Sequence, residues 1–379
     1  MSNETLIRVI DGNPDLSFLL SENKKLFVTD ENIFGLKSLE GFFRKFSPVN
    51  TQDFSKTDIS GNTRDTDNFI ISGNTHAALY SFENNALVVI KAGEKYKTID
   101  TVLAIVKAAL AFSLTRKDFF TTIGGGVITD LTAFAASIYK RGARLEFVST
   151  TLLGMCDAAI GGKTGCDFED YKNITGTFYK AETLYIFPSF VKSLSEKEYI
   201  SGLAEVLKTA LLFDKKLFAL LENEKDKVLS RDDKTIYKMI SICSKAKAKI
   251  VKKDPTEKNI RMLLNLGHTF GHALESRAGL GVLTHGECVA WGTCRALDLS
   301  RSIGLCSDAY YERVKKVFAS YGYETNKVHP KFTDSNAILE TMKNDKKNSS
   351  SKIRVILQKG LCKNVIAEIE DEKLLSVLK

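Results

Sequence analysis

The stretch Phe119-Phe-Thr-Thr-Ile-Gly124-Gly125-Gly126-Val127-Ile-Thr-Asp130-Leu131 decides the fold. Apolar and β-branched residues over Phe119–Ile123 read as a short buried strand. Three glycines end it, and Val127 to Tyr139 then has helical spacing. Consecutive glycines let a backbone approach a pyrophosphate closely, and the helix start beyond them offers free N–H groups. Thr129 stands where the third glycine of the usual fingerprint would be, so the run equally suits a plain strand-to-helix turn.

Working outward, Leu26–Thr29, Asn68–Ser72, Ala86–Ile90 and Leu145–Ser149 also read as short apolar strands, and Thr98–Ser113 as a helix between two of them. Strands alternating with helices imply a parallel sheet with βαβ connections. From about Ser195 the pattern turns helical, over Glu196–Phe213, Lys234–Lys252, Arg261–Ser276, Glu287–Ile303 and Tyr310–Tyr321. One late strand pair is expected, Ile353–Leu357 with Asn364–Ile369. The reading is therefore an α/β domain over residues 1–188 and a mostly α-helical domain over 189–379, with the boundary near Phe187 to Leu194.

The bulk composition suits this plan. Hydrophobic residues make up 44% and charged residues 26% of the 379, as in ordinary globular proteins. No segment approaches the roughly 20 apolar residues of a membrane span. The first 15 residues lack a signal-peptide pattern, so a cytoplasmic location is expected. Seven cysteines without a CxxC pair argue against disulfides and thiolate metal sites. The net charge of +8 is spread along the chain and carries no aromatic-interleaved RNA motif, so no nucleic-acid partner is expected. It suits a small polyanionic substrate.

A sharper signal is Arg261-Met-Leu-Leu-Asn265-Leu-Gly-His268-Thr-Phe-Gly-His272. At 100° per residue on one helix, Arg261, Asn265, His268 and His272 fall within about 60° of each other. Histidines at i and i+4 can reach one metal ion, and His285 follows in Thr284-His-Gly-Glu287. His76 and His329, the other two of five histidines, have no such company. In Ser201-Gly-Leu-Ala-Glu205-Val-Leu-Lys208, Glu205 and Lys208 share a helix face. Alone they read as a surface ion pair. A site with two histidines needs a carboxylate from elsewhere, and Glu205 is a candidate. Lysines beside paired glycines in Asp157-Ala-Ala-Ile-Gly-Gly-Lys163 and in Lys172-Asn173-Ile-Thr-Gly suit anion binding, although the spacing is not a Walker A loop.

Together, GGGVITDL, RGARLEFVSTTLL, DAAIGGKTG, KNITGTF, GLAEVLK, RMLLNLGHTFGHALES and THGECVAWG resemble the 3-dehydroquinate synthase family of sugar phosphate cyclases. The resemblance implies a Rossmann-like NAD-binding sheet domain followed by a helical metal- and substrate-binding domain. It implies Glu205, His268 and His285 as zinc (or cobalt) ligands, with His272 turned instead to the substrate phosphate. Arg261 and Asn265 match the pair holding a substrate carboxylate. Asp157, Lys163, Asn173, Lys208, Lys247, Lys346 and Lys347 match further substrate contacts. An arginine like Arg141 reaches the neighbouring subunit's site, which implies a homodimer. For NAD the matching positions are Asp30, Asn32, Glu94, Lys97, Gly125, Gly126, Asp130, Thr150, Thr151 and Lys172.

The chain departs from the family pattern at Pro255 and Asn259, where a carboxylate and a glycine are usual. Tyr171 stands in place of glycine, and Ile186-Phe187-Pro188 replaces a segment often carrying Asp-Thr. The implied reaction converts 3-deoxy-D-arabino-heptulosonate 7-phosphate to 3-dehydroquinate and phosphate, with NAD used transiently. The rival readings are a valiolone- or inosose-type cyclase whose substrate lacks the carboxylate, and a metal-dependent polyol dehydrogenase. Arg261 argues against the first, because a buried guanidinium needs an anionic partner.

Overall fold

The computed structural model describes residues 4–20, 23–49, 69–72, 75–169, 171–279, 281–345 and 352–379. The chain forms two compact units, Met1–Ser193 and Leu194–Lys379.

The first unit is built on strands β1 (Leu6–Val9), β2 (Lys25–Asp30), β3 (Ser47–Pro48), β4 (Phe69–Ser72), β5 (Thr75–Phe82), β6 (Asn85–Ile90), β7 (Phe119–Gly124) and β8 (Arg144–Ser149). β9 (Cys166–Phe168) and β10 (Tyr171–Thr175) form a separate antiparallel pair, and β11 (Thr183–Ile186) returns to the main sheet. That sheet runs β1-β11-β8-β7-β2-β6-β5-β3, with β4 also on β5. From β1 to β6 every pairing is parallel. β6 and β7 are buried at every position, as strands covered on both faces must be. Helices α1 (Glu31–Phe34) and α2 (Glu40–Phe43) follow β2, and α3 (Ile99–Ala111) and α4 (Gly126–Ile138) flank β7.

The sheet is not wholly parallel as the sequence suggested. β5 and β6 form a hairpin closed at residues 83–84, where Glu83 takes φ +50°, and the ladder beyond it is antiparallel. A polar pair crosses the parallel part: Lys25 Nζ lies 2.5 Å from Glu146 Oε1, which also accepts from Thr121 at 2.8 Å. Both charged groups are buried, so each relies on the other for compensation.

The second unit is helical: α5 (Glu196–Phe213), α6 (Lys215–Asn223), α7 (Lys225–Leu229), α8 (Asp233–Lys253), α9 (His268–Ala278), α10 (His285–Ser302), α11 (Asp308–Ser320), α12 (Ser335–Asp345) and α13 (Asp371–Ser376). The expected late strand pair is present as β12 (Lys352–Gly360) with β13 (Lys363–Glu370), antiparallel. α5 is buried along almost its whole length from Tyr199 to Leu212, and both α8 and α10 pack on it. α10 also packs on α9. No helix among the described residues is long and apolar enough to cross a membrane. All seven cysteines are free thiols.

Candidate active site

In the first unit the chain passes from β2 to β6 on one side and then to β7 on the other. This makes a switch point between β2 and β7, where open α/β sheets take ligands at the strands' carboxyl ends. Asp30 ends β2, Glu94 and Lys97 follow β6, Gly125 follows β7, and Thr150 and Thr151 follow β8. Gly125 sits at the start of α4 in extended conformation, with no side chain capping the helix amides. A Cβ at Gly125 would meet Thr151 Cγ2 at 2.7 Å. The glycine thus keeps open a cradle that a side chain would fill, and the donors around it fit a dinucleotide's pyrophosphate. Asp30 also has a local task, since its carboxylate accepts from the amides of Asn32 and Ile33.

Lys97 ties this region to the loop carrying Asn173. Its ammonium donates to Asp130 Oδ2 at 2.7 Å and to Asn173 Oδ1 at 2.5 Å. Burial works against its charge, but Asp130 and Glu94 outweigh burial and raise its pKa. Asn173 holds φ +52°, and its amide donates to Asp167 at 2.7 Å. One ammonium therefore joins Asp130, expected at the nucleotide, to Asn173, expected at the substrate. Asp157 lies in a π turn over Gly154–Ala158, a local widening common at functional sites. Lys163, Lys172 and Arg141 are exposed, and Arg141 follows Lys140 in left-handed backbone, at φ +64° and +48°. Tyr171 is exposed and does not have positive φ, so the glycine usual there is not needed for backbone reasons.

The second unit corrects the single helix expected over Arg261–Ser276. Ile260–Asn265 is a short 3₁₀ turn, and α9 starts at His268. Between them Gly267 takes φ +80°, and a Cβ there would lie 2.4 Å from Thr293 Oγ1. Arg261 and Asn265 therefore do not continue the face carrying His268 and His272. A second glycine sets the depth of α10: a Cβ on Gly286 would lie 2.1 Å from the Ser201 carbonyl oxygen. The Gly286 amide donates to Ser201 Oγ at 3.1 Å, and Thr284 with Glu287 forms a capping box that starts the helix at His285. Ser201 is one turn before Glu205 on α5, so this docking carries His285 to the Glu205 carboxylate.

Glu205, His268 and His285 offer one ligand atom each, all within 4.8 Å of one another. Glu205 Oε1 is 3.3 Å from His285 Nε2 and 3.8 Å from His268 Nε2. Glu205 is fully buried, and neither of its oxygens accepts a well-aligned hydrogen bond. A fully buried carboxylate facing two imidazole nitrogens has the donor set of a three-ligand zinc site, so the residues fit such an ion. His268 Nδ1 lies 3.3 Å from the Leu266 carbonyl and His285 Nδ1 lies 3.7 Å from Glu275, contacts that orient both rings. Burial alone would lower the pKa of His285, but Glu205 and Glu275 outweigh it and push it up to about 9. Against its own burial, Glu205 is held down to about 2, chiefly by Lys208 and then by His285. The carboxylate is thus ionised, and an incoming metal ion displaces the imidazole proton.

The spacing-based pair His268 and His272 does not form the cluster. His272 is exposed, with its ring 4.9 Å from that of His268, beside the three converging groups. Lys208 is not on the surface either: its ammonium pairs with Glu205 Oε2, and both side chains are buried. Lys247 is buried on α8. His329 is buried against Trp291, and the side chain of His76 lies outside those described. Lys346 and Lys347 lie outside the described residues.

Sequence reasoning missed Glu257. Asn265 Nδ2 donates to Glu257 Oε1 at 2.8 Å, and Arg261 Nε is 3.6 Å from Glu257 Oε2. The buried guanidinium therefore already has an anionic partner within the chain, and its burial alone does not demand an acidic ligand. The departures at Pro255 and Asn259 are absorbed by Asp254, whose carboxylate accepts from the amides of Lys258, Asn259 and Arg261. The Pro255 carbonyl accepts from Arg261 Nη1 at 2.7 Å. Glu257 stands four residues before Arg261, but residues 254–259 form turns rather than a helix, so that spacing gave no usable signal.

The chain matches the model of the 3-dehydroquinate synthase N-terminal region over residues 87–201 and that of the C-terminal region over 202–348. It is 36% identical to a 3-dehydroquinate synthase of Dictyoglomus turgidum, over 79% of this chain and 83% of that one. It is 37% identical to one of Thermodesulfovibrio yellowstonii, over 77% and 81%. Among solved structures it is similar to 2-epi-5-epi-valiolone synthase from Streptomyces hygroscopicus subsp. jinggangensis with NAD+ and Zn2+ bound. That match has 26% identity and a TM-score of 0.79, over 100% of this chain and 97% of the other.

Proposed function

The chain belongs to the 3-dehydroquinate synthase family, and on that premise we propose how its residues share the work. The activity is that of a carbon–oxygen lyase, which converts 3-deoxy-D-arabino-heptulosonate 7-phosphate to 3-dehydroquinate and phosphate. It serves the shikimate pathway to aromatic amino acids. The convergence of Glu205, His268 and His285 is the observation that carries this reading.

Glu205, His268 and His285 would hold zinc or cobalt, and Asp30, Asn32, Glu94, Lys97, Gly125, Gly126, Asp130, Thr150, Thr151 and Lys172 would bind NAD. When bound, the metal supplies Lewis-acid polarisation of a substrate hydroxyl, and NAD accepts and returns a hydride, ending unchanged. Arg261 and Asn265 hold the substrate carboxylate. Lys163 and Asn173 in the first unit, and Lys208 and His272 in the second, are the expected phosphate contacts. Cationic groups among such contacts would stabilise the phosphate as it leaves. Asp157 in the first unit and Lys247 in the second are further expected substrate contacts, of a kind that would position the ring for elimination and for the later intramolecular aldol closure. The expected Lys346 and Lys347 lie outside the described residues. Arg141 completes the site of a second subunit in a cytoplasmic homodimer, which sedimentation with and without Arg141→Ala tests.

A second reading is a cyclase whose substrate lacks the carboxylate, and the Glu257–Arg261 contact favours it. One assay separates the two. Purified protein is given 3-deoxy-D-arabino-heptulosonate 7-phosphate, NAD and zinc, while phosphate release and absorbance of NADH are followed together. Phosphate release without net NADH, abolished by a chelator and by His268→Ala, is the expected result. Release only from a heptulose phosphate lacking the carboxylate establishes the second reading. Steady NADH accumulation on a polyol overturns both.

A further inference from the structure

We propose that Glu257 is an internal competitor for the carboxylate subsite: it engages the Arg261–Asn265 pair and yields it to the substrate's own carboxylate. The inference rests on the reading of that pair given above. One carboxylate spans both groups, with Oε1 accepting from Asn265 at 2.8 Å and Oε2 lying 3.6 Å from Arg261 Nε. This is the arrangement a substrate carboxylate would need.

The surroundings allow the exchange. Arg261 is anchored independently of Glu257, by Nη1 on the Pro255 carbonyl at 2.7 Å and by its amide on Asp254 at 3.0 Å. The guanidinium therefore keeps its place when Glu257 leaves. Its side chain is 3% accessible and that of Glu257 15%, so the carboxylate is the partner with a way out to water. Glu257 sits at φ +59° in a turn whose flanking amides are held by the Asp254 carboxylate, so the backbone keeps its place when the side chain moves.

The exchange has a chemical purpose. A buried guanidinium without an anion is costly, and Glu257 supplies an anion from within the chain. An intramolecular carboxylate also acts at high effective concentration. Free metabolic acids compete poorly against it, whereas an acid anchored elsewhere by phosphate and hydroxyls does not face that handicap. Glu257 thus selects for ligands that engage the rest of the site.

The test is calorimetric binding of quinate and of its carboxamide to the zinc- and NAD-loaded protein. Wild type is expected to prefer quinate. In Glu257→Gln, quinate is expected to bind about ten-fold tighter, with the ratio of quinate to carboxamide affinity widening. A purely structural glutamate would loosen both ligands. Quinate affinity unchanged or weakened in a variant with the wild-type thermal midpoint overturns the proposal. Equal wild-type affinity for acid and amide overturns the reading of Arg261 and Asn265 themselves. Should Glu257→Gln fail to fold, Glu257→Asp keeps the charge and withdraws it from Asn265; intermediate tightening is then expected, and none overturns the idea.

Discussion

Glu205 Oε1 stands 3.3 Å from Nε2 of His285, a fully buried carboxylate facing an imidazole on a different helix. A proton on the ring nitrogen or a metal ion in its place satisfies that arrangement. The wild-type protein is expected to bind one zinc ion, with a thermal midpoint that rises with zinc concentration. Glu205→Gln should weaken zinc by at least about 100-fold, read by competition with a chromophoric chelator.

Gly267→Ala is expected to destabilise the second unit by about 3 kcal/mol, combining left-handed backbone with overlap. The new methyl would press on Thr293 and on the Val289 carbonyl. Chemical denaturation measures the loss. Because Gly267 immediately precedes His268, zinc affinity should fall with it.

Lys97→Met removes the ammonium from both Asp130 and Asn173. Breaking a buried pair of this kind costs about 3 kcal/mol. Fluorescence titration should show weaker NAD binding. Substitution of the exposed Lys95 should leave it within about two-fold.

Acid should loosen the turn before Arg261. Burial acts to raise the pKa of Asp254, but hydrogen bonds from the amides of Arg261, Lys258 and Asn259 outweigh it and hold the group below its usual 3.8. A depressed carboxylate contributes stability that is complete above its unfolded value and is lost as pH falls through the folded one. Hydrogen exchange at those three amides, corrected for intrinsic rate, should therefore quicken below about pH 3.8. Asp254→Asn should show fast exchange already at neutral pH.

The parallel half of the sheet was legible because Ala86–Ile90 is apolar throughout and Phe119–Ile123 is made only of apolar and β-branched residues, which suits burial on both faces. β1 and β11 were missed, since each is short and only partly buried. The metal ligands came from family motifs rather than from helix geometry. Spacing pointed to His268 with His272, which do share α9. It could not foresee that the docking of α10 on α5 would bring His285 and Glu205 to His268 instead, nor that Gly267 would separate Arg261 and Asn265 from that helix. Nor could it foresee Glu257, because that contact depends on how Asp254 folds the turn.

The pairing of β1 with β11 has a temporal side. Leu6 bonds in register with Thr183, roughly 180 residues later in the chain. At ribosomal speeds of about 5–20 residues per second, β1 waits on the order of ten seconds or more for its neighbour. Through that interval a nascent chain carries an unclaimed strand whose leading residue, Leu6, stays 52% exposed even when folded. β1 is therefore among the last strands of the sheet to be locked in place, and a chaperone that shields it during synthesis would raise the yield of the native protein without touching the active site.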